Sequence, residues 1–112
     1  MKAETIKKRL VPVLKKDGTP TQKLENSVFW LARLSLGERV HFLSWNRSKG
    51  HMNILGRERQ DFVTKVLDLL KVKYTIGNDS PRRGATGEYV EVQKQHTTKL
   101  KQAVATIQDW DK

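Results

Sequence analysis

The sequence predicts a single α+β domain, in which three to four helices pack on a small three-stranded sheet that includes a β-hairpin. Its length of 112 residues fits one domain. Apolar residues recur at helical spacing in several segments. They also alternate with polar residues over 72–77 and 88–93, and turn residues separate these two runs. The predicted order is helix, helix, strand, helix, strand, strand, helix.

The first helix is predicted over residues 3–16, where Ile6 and Leu10 begin an apolar face. Pro12 argues against an unbroken helix, because it lacks a backbone donor and clashes with the preceding turn. A short helix followed by an extended segment over 10–14 is the alternative. Residues 1–18 thus form a basic amino-terminal segment, ahead of the main body over 20–112.

The second helix is predicted over residues 20–36. Thr19 is the expected N-cap, Pro20 suits the first helical position and Gln22 completes a capping box. Gly37 is the expected stop. The predicted apolar face consists of Leu24, Val28, Leu31 and Ser35, widened by Phe29 and Ala32.

The rest of the chain alternates strands and helices. Residues 39–45 are predicted as a strand, with a helical continuation as the alternative, and residues 46–53 as a loop. Helices follow over 57–71 and from Thr97 to Trp110, with Thr97 as the N-cap of the last. Most aromatic residues are expected in the core, namely Phe29, Trp30, Phe42, Phe62 and Trp110. Trp30 and Trp45 are the two with an alternative place on the surface, as a protein-binding patch or a base-stacking platform.

The composition is strongly basic, with 22 Lys and Arg against 12 Asp and Glu and a net charge of +10. Residues 1–23 hold seven basic and two acidic side chains, so they carry half of this excess. Such a field attracts polyanions, chiefly DNA, RNA or an acidic protein surface. No cysteine is present, which excludes disulfides and thiolate chemistry, and an intracellular location is expected. No membrane association, metal or cofactor is predicted.

The leading prediction is a nucleic-acid-binding module that acts without catalysis. The tip of the predicted hairpin, residues 78–87, places two arginines beside two glycines, which let a phosphate approach the backbone. Lysines near the amino terminus and in the last helix would extend the contact with phosphates. The predicted binding residues are Lys7, Lys8, Arg9, Lys15, Lys16, Arg82, Arg83, Lys94, Lys99 and Lys101.

The order of elements around this hairpin resembles a winged helix over residues 20–93, and the hairpin would be its wing. A winged helix has two helices between its first strand and the hairpin, so residues 46–54 would have to supply one of them. The order also resembles part of a ferredoxin-like RNA-recognition domain. That resemblance implies that Tyr74 and Tyr89 offer stacking faces, although they also suit ordinary cross-strand pairs.

Two alternatives belong to other classes. One is a small docking protein, of the kind found in phages and mobile elements, that binds an acidic or nucleic-acid-handling protein; a contiguous apolar surface patch would favour it. The other is a Mg²⁺-dependent nuclease, in which Asp79 and Glu91 hold the metal ion. Gln93 has the spacing to orient the attacking water, whereas Lys94 is expected on the opposite face.

Overall fold

The computed structural model describes residues 2–42, 45–46, 51–52, 54–78 and 88–109, and it combines helices with antiparallel strands. The α+β prediction is therefore confirmed. The helices are α1 (Ala3–Arg9), α2 (Gln22–Ser35), α3 (Ile54–Leu69) and α4 (Thr97–Gln108), with 3-10 helices at Val11–Val13 and Lys94–His96. The strands are β1 (Trp45–Asn46), β2 (His51–Met52), β3 (Tyr74–Asn78) and β4 (Glu88–Val92).

The amino-terminal segment contains a short helix rather than one over residues 3–16. Helix α1 ends at Arg9, and the 3-10 helix holds Pro12 in its first turn, where its missing donor is tolerated. The long helix is therefore wrong, the short helix of the alternative is confirmed, and the extended segment predicted over 10–14 is replaced by the 3-10 helix at Val11–Val13. Leu14 then forms an antiparallel bridge with Pro20, which closes a turn at Gly18.

Helix α2 begins at Gln22, two residues later than predicted, and its N-cap is shifted by the same two residues. Thr21 is the N-cap, and its Oγ1 accepts a hydrogen bond from the Leu24 amide at 3.2 Å. The predicted cap, Thr19, instead donates through its amide and hydroxyl to Asp17 Oδ1, at 3.0 and 2.7 Å. The Thr19 hydroxyl is therefore engaged in this local turn and does not cap α2. Gly37 follows the helix with a φ of +80°, which agrees with its role as the stop.

The sheet is built on the pair β3–β4, in the register Tyr74↔Val92 to Asn78↔Glu88. On the opposite edge of β4, Val40 exchanges two backbone hydrogen bonds with Val90, at 3.0 and 2.9 Å, as an isolated bridge. The described residues thus show a two-stranded sheet and one bridging residue where the sequence predicts a third strand. Strands β1 and β2 pair with each other, so part of the predicted loop over 46–53 is a strand pair.

Helices α3 and α4 differ from prediction mainly at their ends. Helix α3 begins at Ile54, before the predicted start at 57, and it is the only helix between Val40 and β3 in the described part of the chain. Residues 46–54 would supply the second helix of a winged helix, but the described ones among them lie in β1, in β2 and at the start of α3. Thr97 is the first residue of α4 and not its cap, and its hydroxyl donates to the Lys94 carbonyl at 2.9 Å.

One hydrophobic core joins α1, α2, α3, α4 and the inner face of the sheet. Phe42 is buried as predicted, but Phe29 is 60% exposed, which corrects its assignment to the core. Its position on α2 lies nearly opposite Leu24 and Leu31, so the helix turns its ring towards solvent. Among the described helices, none is both long and apolar enough to cross a membrane.

Candidate functional site

The turn after α3 brings basic residues from distant parts of the chain together. Lys71 adopts a left-handed conformation with a φ of +57°. Its amide donates to the Asp68 carbonyl at 3.1 Å, and the Val72 amide donates to the Leu67 carbonyl at 3.0 Å. These two bonds form a Schellman motif, in which glycine is the usual residue at the left-handed position. The backbone thus holds the exposed Lys71 side chain at the end of the helix.

Two further cations reach this turn from α1 and α4. Arg9 donates from Nη1 to the Leu70 carbonyl at 3.3 Å, and Lys99 donates from Nζ to the Lys71 carbonyl at 3.0 Å. Both contacts satisfy carbonyls at the negative end of the α3 dipole, so they stabilise the helix end. They also bring two positive charges close to Lys71. The site therefore rests on three elements that lie far apart in sequence.

The cluster continues along the end of the sheet. Gln93 donates its amide to the Lys73 carbonyl at 3.2 Å, which extends the β3–β4 pairing by one bond. Gln93 lies between two shallow depressions, one lined by Lys71 and Lys73 and the other by Lys94 and Lys101. We call the resulting surface the basic face, and define it as Arg9, Lys71, Lys73, Lys94, Lys99 and Lys101.

Acidic residues on the basic face are engaged with neighbours. Glu91 lies 3.3 Å from Arg39, between Glu91 Oε2 and Arg39 Nε. Asp68 interacts with the Tyr74 hydroxyl, and both residues line the same depression. Burial, and then the charge of Asp68, raise the pKa of Tyr74, so this phenol stays neutral and contributes no further negative charge. The lining of this depression holds two lysines, Lys71 and Lys73, against the single carboxylate of Asp68.

The two tyrosines suit the role of cross-strand partners better than that of stacking platforms. Tyr89 lies across Gly77 on the neighbouring strand, so closely that a Cβ at Gly77 would collide with the tyrosine hydroxyl. The Arg39 guanidinium lies 4.6 Å from the same ring, and His41 meets it edge-on. A base would have to displace Arg39 to stack there, and Tyr74 is half-buried.

The predicted binding residues separate into three groups. Arg9, Lys94, Lys99 and Lys101 belong to the basic face, whereas sequence reasoning missed Lys71 and Lys73. Lys7 and Lys8 are exposed on α1 beside Arg9, and Lys15 and Lys16 are exposed in the turn around Gly18. In that turn, hydrogen bonds from Thr19 lower the pKa of Asp17 and keep it ionised beside the lysines. Arg82 and Arg83, with the whole predicted hairpin tip, lie outside the described residues.

The nuclease residues do not form a recognisable metal site in the described part of the chain. Asp79 lies outside it, and Glu91 is paired with Arg39. Lys94 belongs to a 3-10 helix beyond the end of β4. Within the described ranges, no three His, Asp or Glu side chains are grouped to hold a metal ion.

Comparison with known proteins gives no relative for this chain: no family model, curated protein or solved structure matches it.

Proposed function

We propose that this protein binds nucleic acid through the basic face and acts as a binding module rather than as a catalyst. The observation that carries the proposal is the convergence of Arg9 and Lys99 on consecutive carbonyls of one turn, beside Lys71 and Lys73. Cations from three segments meet there, as expected of a surface that neutralises several phosphates at once. The net charge of +10 supports the same conclusion, because it steers a polyanion towards the protein.

The proposal includes residues outside the basic face. Arg82 and Arg83 remain proposed phosphate contacts on the strength of the sequence alone, and the exposed Lys7, Lys8, Lys15 and Lys16 extend the positive field. The predicted three-stranded sheet also remains a proposal, which the bridge between Val40 and Val90 supports. Contacts with backbone phosphates imply little preference for base sequence.

A salt titration tests the proposal with duplex DNA, duplex RNA and single strands as separate probes. The informative variant is Lys73→Ala/Lys101→Ala, because both side chains are exposed and they line different depressions of the basic face. Arg9 and Lys99 are less suitable, since their contacts with α3 would mix binding with stability. Lys23→Ala/Lys65→Ala is the matched control, which removes two exposed lysines outside the basic face.

We expect the affinity of the wild-type protein to fall steeply with salt. Each lost phosphate contact reduces the slope of log affinity against log salt by about 0.9, so Lys73→Ala/Lys101→Ala should be shallower by about 2. The control should keep the wild-type slope. A flat dependence in the wild-type protein, or an equal loss in the control, would overturn the proposal.

A further inference from the structure

Helix α2 presents an apolar stripe to solvent on the side away from the core. Phe29 on α2 and Leu36 at its C-cap are 60% and 66% exposed, and they lie seven residues apart with Arg33 between them. At 1.5 Å of rise per residue the stripe is about 10 Å long, which is two helical turns. We call Phe29, Trp30, Arg33 and Leu36 the α2 stripe.

The α2 stripe is held in shape by contacts around Trp30. The indole meets Phe29 edge-on at a centroid distance of 5.0 Å and packs against the buried Phe42 at 5.4 Å. The guanidinium carbons of Arg33 and Arg59 lie 5.7 and 5.4 Å from the Trp30 ring. These cation–π contacts fix two positive charges beside the exposed Phe29.

This arrangement has the composition of a protein-binding hot spot. Trp and Arg dominate the binding energy of protein interfaces, and here both are immobilised before a partner arrives. A groove of about 230 Å³ between α2 and α3 adjoins them, and its lining combines Lys23, Arg59 and Phe62 with the acidic Glu58. Phe29 and Leu36 leave apolar area in water that a partner would bury, which is a favourable change.

We propose that the α2 stripe docks an acidic amphipathic helix of another protein. Two apolar anchors separated by two turns match a partner helix with apolar residues at the same spacing. The charge of the partner follows from the local excess of cations, since Lys23, Arg33 and Arg59 stand against Glu38 and Glu58. The two arginines would meet carboxylates of the partner at the edge of the contact. Arg33 pairs with Glu38 at 3.3 Å, but both side chains are more than 40% exposed, so a partner carboxylate can replace this weak surface pair.

A second copy of this chain fits the α2 stripe less well than an acidic helix. An antiparallel two-fold contact would place Phe29 against Leu36 of the other copy and bring the two Arg33 guanidiniums together at the axis. Each copy also carries a net charge of +10, which opposes association. Nucleic acid fits less well because the Trp30 ring is already occupied by two guanidiniums and Phe42.

Fluorescence anisotropy with a synthetic peptide tests the proposal on the full chain. The probe is a labelled amphipathic peptide of about 18 residues, long enough to form a helix, with leucines on one face and glutamates elsewhere. A scrambled peptide of identical composition tests whether amphipathicity is required. Phe29→Ala and Leu36→Ala remove the anchors, and Val11→Ala is the matched control because Val11 is 61% exposed outside α2.

We expect the amphipathic peptide to bind the wild-type protein and the Val11→Ala variant equally, and Phe29→Ala at least about 10-fold more weakly. Far-UV circular dichroism should show that both α2 variants are folded. Salt-dependent nucleic-acid binding should survive in Phe29→Ala, so the outcomes for the α2 stripe and the basic face are separable. Equal binding of the scrambled peptide, or no loss in Phe29→Ala and Leu36→Ala, would overturn the inference. The inference would also be overturned if Phe29→Ala abolished self-association of the protein or its binding to nucleic acid.

Discussion

Helices α2 and α4 pack against each other in the same core, yet they present opposite chemistry to solvent. The outer side of α2 and its C-cap carry Phe29 and Leu36, whereas α4 carries Lys99 and Lys101. Charges act over about 10 Å and weaken with salt, while apolar side chains act only in contact and do not. One small fold thus carries two surfaces of different chemistry, and binding at the two proposed sites should respond to different conditions.

The largest expected effect comes from Leu100→Ala, which removes a fully buried side chain between the two lysines of α4. We expect the free energy of unfolding to fall by about 2–5 kcal/mol, because a cavity remains in the core. Urea denaturation followed by circular dichroism measures it, with the exposed Gln102→Ala as control. Peptide and nucleic-acid binding should then disappear together on heating. If only one disappears, the two surfaces do not depend on one core.

A smaller effect is expected from Thr21→Ala, which removes the side-chain hydrogen bond that caps α2. The N-cap residue of α4, His96, makes no such bond. Losing the acceptor for the Leu24 amide should reduce the free energy of unfolding by about 1 kcal/mol. Hydrogen exchange at Leu24 should accelerate. Thr19→Ala is the control, and it should stay within about 0.5 kcal/mol of wild type. Faster hydrogen exchange at Leu24 in Thr19→Ala, with no change in Thr21→Ala, would contradict the assignment of Thr21 as the cap.

The smallest effect on stability is expected from Lys71→Gly, and it has the opposite sign. Relief of the left-handed strain is worth about 1–2 kcal/mol, and the greater entropy of unfolded glycine offsets about 0.5–1 kcal/mol of it. We therefore expect a net gain of about 0.5 kcal/mol in thermal denaturation, together with a salt slope shallower by about 0.9. Lys73→Gly, which lacks the left-handed geometry, should lose the same slope without any gain. A loss of stability in Lys71→Gly would contradict this account.

The sequence could predict elements whose apolar spacing is regular. Leu24 and Leu31 are buried at helical spacing in α2, and Val90 and Val92 are buried on alternate positions of β4, as predicted. Ends were predicted less well, because Thr19 donates its hydrogen bonds to Asp17 while Thr21 accepts the capping bond from the Leu24 amide. Hydrophobicity alone placed Phe29 inside, although its angular position on the helix already argued for solvent.

The candidate site was predicted only in part, for a different physical reason. Arg9, Leu70 and Lys99 meet through tertiary packing, and no local pattern encodes a contact between residues 61 positions apart. Lys71 and Lys73 lie in a short segment without a run of charge, so the charge pattern of the sequence did not single them out. The one available signal was Lys71 directly after the apolar face of α3, where a basic residue favours the helix end.

At position 71 the left-handed torsion angle favours glycine for stability, whereas the proposed binding of phosphates favours lysine. Screening variants for heat resistance alone should enrich glycine there, whereas screening for ligand retention should keep the ammonium group. An evolved thermostable form of this protein would then be expected to compensate elsewhere, by placing a new cation beside Lys73 rather than restoring the one it lost.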